Sequence, residues 1–274
     1  MKANRFRLLA ACVALVATAA ACTSSKPKGA TSTEPGTPLT LAQAEVLAGI
    51  LAKNYEAGGA VFTVTVPYSD QTTYSMNGSI DYTKGTAQST LRISSNGGKD
   101  TADSQLLWTK TEVLEQLPGL TEAVAAKGRP GVTYVSRPMT TTSPQDVVLN
   151  LVLGTASAQR ENPALIQQGT DQGTAAFLRT DTLRGVPVDV FRFGKRTTFW
   201  VAKESGDMMR LEATLAIAPG VTVMDILEHK PVAIPGPKVS EVVLATEIPD
   251  IMKDLTGNTI PAATPPPAVV TTKP

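Results

Sequence analysis

The stretch "TTFWVAKESGDMMRLEATL", residues 197–215, is the most regular pattern in the chain: two amphipathic strands meeting at a Ser-Gly turn. Alternation along the second strand puts Met209, Leu211, Ala213, Leu215 and Ile217 on one side and Arg210, Glu212 and Thr214 on the other. The length of the turn sets the register of the first strand. A four-residue turn, "KESG" with Gly206 left-handed, places Trp200 opposite Met209; a two-residue turn places it opposite Leu211. Both put Trp200 on the apolar inner face. A three-residue loop instead turns Phe199 and Val201 inward and Trp200 outward.

Strand-like segments extend outward from this hairpin in both directions. On the C-terminal side lies "GVTVMDILEHKPV", and before the hairpin lies "GVPVDVFRFG". Nearer the N-terminus, "AVFTVTVPY", "TTYSMNGSIDY", "GTAQSTLRIS", "ADSQLLWT" and "TEVLEQL" are short Thr-, Val- and Ser-rich runs broken by turn residues, the pattern of an antiparallel meander. "GGKDTAD", with Asp100 and Asp103, reads as a turn between two of them. Helical spacing occurs in "TLAQAEVLAGILAKNYEAGG", ended by Gly58-Gly59, and in "SPQDVVLNLVLG", where Ser143 is placed to cap, Pro144 to start and Gly154 to end a helix. "ENPALIQQG" adds a shorter helix, and "SEVVLATEIPDIMKDLTG" begins strand-like. The expectation is an α+β fold: one long antiparallel sheet with helices on one face.

The ends of the chain have a different composition. Residues 1–21 carry Lys2, Arg5 and Arg7, then an apolar run, then Ala19-Ala20-Ala21 before Cys22. This is the pattern of a lipoprotein signal peptide, with Cys22 as the residue to be acylated. The apolar run is too short for a membrane-spanning helix. Two or more acyl chains on Cys22 would anchor the protein stably at the extracytoplasmic face of a bacterial cell membrane, where one chain would bind marginally. Residues 22–38 are polar, small and proline-broken and read as a tether; residues 39–258 are expected to form one domain, and 259–274 a disordered, Pro-rich tail.

Charge and cysteine content exclude several function classes. Loss of the signal removes three of 25 basic residues and none of 24 acidic ones, leaving 22 against 24, a net charge of −2. Such a chain has no basic field for nucleic acid. Cys12 leaves with the signal, so an acylated Cys22 leaves no thiol for a disulfide, a zinc site or a nucleophile. His229 is the sole histidine and reads as a solvated strand-end residue. No G-x-S-x-G elbow or phosphate-binding loop occurs, and Ser25-Lys26-Pro27-Lys28 matches S-x-x-K only inside a proline-containing tether that cannot be helical. No catalytic residue, metal ligand or cofactor is expected.

The lipobox, the polar tether, the first amphipathic helix, the meander, the central "SPQDVVLNLVLG" and above all "GVPVDVFRFGKRTTFWVAKESGDMMRLEATL" together resemble the actinobacterial LppX/LprG-type lipoproteins and, more distantly, the LolA lipoprotein carrier. The resemblance covers most of residues 40–250. It implies a strongly curved antiparallel sheet, an incomplete β-barrel with helices packed on its concave face, and a non-enzymatic protein whose apolar cavity, between sheet and helices, binds or carries lipid, lipoglycan or lipidated molecules between membrane layers, with envelope transport proteins as partners. Trp200, Met209, Leu211, Ala213 and Leu215 of the hairpin and Val148 and Leu151 of the central helix are the expected cavity wall. Lean strands rich in Ser, Thr, Ala and Gly fit such a cavity, and equally fit a sheet with one wet face. A cell-envelope lipoprotein with a filled core and no ligand is the alternative.

Overall fold

A computed structural model describes residues 35–256. The expected signal peptide, Cys22, most of the expected tether and the Pro-rich tail lie outside these residues. Twelve strands form one sheet: β1 (Gly59–Pro67), β2 (Thr73–Asp81), β3 (Thr86–Ser95), β4 (Asp100–Trp108), β5 (Glu112–Gln116), β6 (Tyr134–Pro138), β7 (Ala175–Leu183), β8 (Val186–Phe193), β9 (Thr197–Ala202), β10 (Met208–Thr214), β11 (Val221–His229) and β12 (Val242–Leu244). Their order is β12-β6-β5-β4-β3-β2-β1-β11-β10-β9-β8-β7. Every adjacent pair is antiparallel except β12 with β6, and the two ends do not pair, so the sheet is unclosed. Among the described residues five helices complete the α+β fold: α1 (Leu41–Glu56), α2 (Leu120–Ala125), α3 (Pro144–Leu153), α4 (Pro163–Asp171) and α5 (Pro249–Thr256).

Two meanders, β1 to β6 and β7 to β11, join through the pairing of β1 with β11, which are far apart in sequence. Each meander is built from local connections; their junction is not. Helices α1, α3 and α4 contribute Ala44, Leu47, Ile50, Val148, Leu149, Val152 and Ile166 to a single buried cluster with Phe62 and Val64 of β1, Met76 of β2, Leu91 of β3, Trp108 of β4, Leu211 of β10 and Met224 of β11. A second cluster forms where α2 and α5 meet β6 and β12.

Several local rules act as expected. α1 has a capping box, in which the Thr40 hydroxyl accepts from Gln43 N–H while the Gln43 side chain accepts from Thr40 N–H. α3 has Ser143 as its cap, Pro144 in its first turn and Gly154 after its last. Other features differ from the sequence reading. Strand β7 gave no clear signal, although Arg184-Gly185 between it and β8 is a two-residue hairpin turn with both residues at positive φ (52° and 80°). Helix α2 and strand β6 are too short for periodicity to register. Asp100 and Asp103 lie in β4 rather than a turn; the bend precedes them, at Asn96–Gly98. Thr37, read as tether, is already held by the sheet edge: it exchanges backbone hydrogen bonds with Phe177 of β7 at 2.8 and 3.0 Å.

Candidate functional site

The layer between α3 and the sheet is where a ligand cavity was expected. α3 presents Val148, Leu149, Val152 and Leu153 to the sheet, and all four are buried. Trp108, fully buried on β4, sends its Nε1–H to the Leu149 carbonyl at 3.1 Å and meets Phe62 edge to face at 6.5 Å. A hydrogen bond from a sheet side chain to a helix backbone requires direct contact, so at this point helix and sheet touch.

Polar groups pin both ends of α3. At its start, Asp146 is wholly buried and accepts from both terminal nitrogens of Arg137 on β6 (2.9 and 2.7 Å), from Thr140 N–H (2.7 Å) and from the Thr140 hydroxyl (2.9 Å). Four charge-assisted bonds are what a buried carboxylate needs to offset its lost hydration. Nearby, Glu115 of β5 accepts from the Ser104 hydroxyl at 2.9 Å. Burial pushes the Glu115 carboxyl above its ordinary range; the Ser104 bond and the Arg137 charge pull it down without prevailing, and the Asp146 charge adds to the rise.

After the last turn of α3, Thr155 lies in a buried chain of hydrogen bonds. Its carbonyl accepts from Asn54 Nδ2 at 2.7 Å, and its hydroxyl lies 3.3 Å from that of Tyr82, whose acidity burial suppresses to a pKa of about 12 against the opposing Thr155 bond. Asn54 Oδ1 in turn meets His229 Nε2 at 3.0 Å. Because Asn54 spends its amide on Thr155, its oxygen must accept, and His229 carries the proton on Nε2. His229 is therefore half-buried and committed to structure, not solvated as expected. Burial lowers its pKa, with Asp207 raising it and Lys53 lowering it further.

Away from these pins the apolar layer opens. Tyr74, Ile93, Met139, Leu151, Phe199, Leu215 and Ile217 pack on the core cluster but remain partly exposed. All belong to one layer, since Leu211 pairs with Phe199 and Val66 with Tyr74 in consecutive rows of the sheet. The rim ends at Phe193, whose ring lies 6.4 Å from that of Phe199 and which is 43% exposed, and at Leu165 of α4, 64% exposed. A depression of about 320 Å3 lies beside them, lined by Leu165, Ile166, Ala175 and Phe193 with polar neighbours. A larger one, about 450 Å3 beside α1, is polar and open, bordered by Lys53, Glu56 and Arg160.

The hairpin that opened the reading is split between two faces. Its turn has four residues: Ala202 N–H bonds to Asp207 O at 2.9 Å, Gly206 N–H to Ala202 O at 2.8 Å, and Gly206 has φ 71°. Such a turn alone sets Trp200 opposite Met209, but a β-bulge at Met209 inserts one residue, and Trp200 pairs with Arg210. The interior therefore receives Met208, Phe199, Val201 and Leu211. Trp200 and Met209 lie on the opposite face, correcting their expected place on the inner wall. Trp200 is nonetheless fully buried there, among Leu178, Leu183, Val188 and Val190, with the guanidinium carbons of Arg179 and Arg210 at 5.2 and 5.6 Å from its ring. Its Nε1–H has no acceptor among the described residues. Of the expected wall residues, Leu211, Leu215, Val148 and Leu151 belong to one apolar layer, and Ala213 is buried on β10.

Among the described residues, no group of three or more His, Cys, Asp or Glu side chains is placed to hold a metal, and no helix is long and apolar enough to cross a membrane.

No family model matches the chain, and no curated protein matches it. Similar solved structures include an uncharacterized conserved protein from Thermus thermophilus, with 11% identity over 73% of this chain and 97% of that one, TM-score 0.36. Another is the MucA/MucB complex of Pseudomonas aeruginosa, with 10% identity over 67% of this chain and 54% of that one, TM-score 0.29. At these scores neither likeness bears on function.

Proposed function

We propose that the chain is a membrane-anchored extracytoplasmic lipoprotein, acylated at Cys22, that binds lipid or a lipidated molecule between the concave face of its sheet and the helices over it. The observation that carries this reading is the continuity of the apolar layer from its sealed centre at Phe62 and Leu149 to a half-open rim at Phe199, Leu215, Ile217 and Leu151. An acyl chain entering at the rim would have to lift α3. Exposing Val148, Leu149, Val152 and Leu153 costs about 1.5–3 kcal/mol each, roughly 6–12 kcal/mol in all. A sixteen-carbon chain gains about 0.8 kcal/mol per buried methylene, ~12 kcal/mol, so the exchange is near balance. Such a balance suits a carrier that must also release its cargo.

The second reading is a filled-core envelope lipoprotein acting through its surface. The Trp108–Leu149 bond favours it, because that bond closes the centre of the layer. Native mass spectrometry of residues 30–258, followed by organic extraction, separates the two. Copurifying lipid near one-to-one supports the carrier. A clean apo mass, unchanged after incubation with envelope lipids, leaves the filled-core reading.

A further inference from the structure

The exposed apolar end of the layer lies at the sheet edge from which the N-terminal segment departs. Thr37 is bridged to Phe177 of β7, and Ala175, two residues along the same strand, pairs with Phe193 of β8. From Thr37 the chain continues through buried Leu39 to Leu41, which opens α1 and is 55% exposed. Leu165, exposed on α4, lines the same depression as Phe193. The β8–β9 turn that follows Phe193 carries Lys195 and Arg196, both exposed. The half-buried Leu215 lies at the same end, one residue beyond Thr214, whose N–H bonds to the Arg196 carbonyl. Exposed leucine and phenylalanine with a basic pair at their margin match the chemistry of a bilayer surface: apolar groups enter the headgroup–acyl boundary and cations meet anionic headgroups.

We propose that this end of the molecule, formed by Leu165, Phe193, Lys195 and Arg196, is a membrane-docking face that lies on the anionic lipid surface to which the chain is tethered. The inference rests on the anchor reading of Cys22 for its geometry. Fourteen residues separate Cys22 from Thr37. Fully extended they reach about 50 Å, at roughly 3.3–3.6 Å per residue. Gly36 runs along β7 towards Leu178, away from Phe193, and a reach of that length exceeds the roughly 30 Å span of the nine-residue β7. An anchor at this edge brings the β7 side of the sheet to the bilayer and leaves the β12 edge facing away. Docking there sets the half-open rim of Phe199 and Leu215 against the lipid source, so a chain leaving the membrane would enter the layer without crossing water.

The test uses the full chain, purified in its acylated form and reconstituted in vesicles of phosphatidylcholine with phosphatidylglycerol. Leu165→Cys, Phe193→Cys and Val239→Cys variants each carry an environment-sensitive fluorophore. Val239 is 93% exposed and adjoins β12, at the far edge of the sheet. The expected result is blue-shifted emission at 165 and 193 that doxyl-labelled lipids quench, and water-like, unquenched emission at 239. Lys195→Glu with Arg196→Glu should reduce the quenching at 193 in anionic vesicles and leave it unchanged in neutral ones. Water-like emission at all three positions would overturn the proposal, as would equal quenching at all three. The mass of the N-terminal peptide reports separately on the anchor. If it lacks acyl chains, the anchor reading fails, and the same fluorophores, read in a Cys22→Ser background with vesicles added, still decide whether the face binds lipid.

Discussion

The two tryptophans respond differently to the same substitution because they lie on opposite faces of the sheet. Trp200→Phe keeps an aromatic ring beneath Arg179 and Arg210 and breaks no hydrogen bond, since the Trp200 Nε1–H has no acceptor among the described residues. Removing an unpaired buried donor offsets part of the lost packing, so the expected cost is about 1 kcal/mol. Trp108→Phe loses a similar volume and also the bond to the Leu149 carbonyl, which is worth about 1 kcal/mol. It opens space at the centre of the main core besides, bringing the expected cost to roughly 2–3 kcal/mol. For a domain of this size that is a loss in Tm of roughly 2–4 °C for Trp200→Phe and roughly 4–12 °C for Trp108→Phe. Urea unfolding followed by far-ultraviolet circular dichroism reads both without relying on the fluorophores being changed. The midpoint should move with an unchanged m-value. With the sheet between them, the two effects should add within about 0.5 kcal/mol in the double variant. A Trp200→Phe loss as large as that of Trp108→Phe, or coupling well above that limit, would mean that Trp200 shares the interior with Leu211, and the bulge at Met209 would be refuted.

Glu115→Gln tests the buried carboxyl beside α3. A group whose pKa is raised on folding destabilises as pH climbs from its unfolded value through its folded value, so the substitution should raise Tm at pH 7 and leave it unchanged near pH 4. A pH-independent effect in calorimetry would remove the ionisation from the account. Gly78→Ala tests the close approach of β2 and β3. Its new Cβ would lie 2.1 Å from the Gln88 carbonyl oxygen and 2.7 Å from Ser89 Cβ, so a loss of about 3 kcal/mol or more is expected. Wild-type stability in urea would show that the strands do not meet in this register.

The local signals were legible for identifiable reasons. Ser143, Pro144 and Gly154 fix the ends of α3 through backbone hydrogen bonding and dihedral limits that act within a few residues. Gly206, at positive φ, marks the β9–β10 turn in the same way but leaves its length open. The alternation of Leu211 and Ala213 identified the inner face of β10 beyond the bulge, though it misplaced Met209. β7 escaped notice because its sequence, "AAFLRTDTL", has no clean alternation, and only Arg184-Gly185 marked the hairpin that follows.

By itself the sequence determined most of the strands, the helices α1, α3 and α4 and several of the turns, because propensity and capping are properties of a few neighbouring residues. Tertiary structure alone decided the rest. The junction of β1 with β11 joins segments remote in sequence, and no local pattern encodes it. The bulge at Met209 shifts the pairing of β9 with β10 by one residue, and in a strand of period two one residue is enough to carry Trp200 from the inner face to the outer. Contact between Trp108 and Leu149 depends on how closely a helix settles on a sheet, which is a sum over many side chains at once.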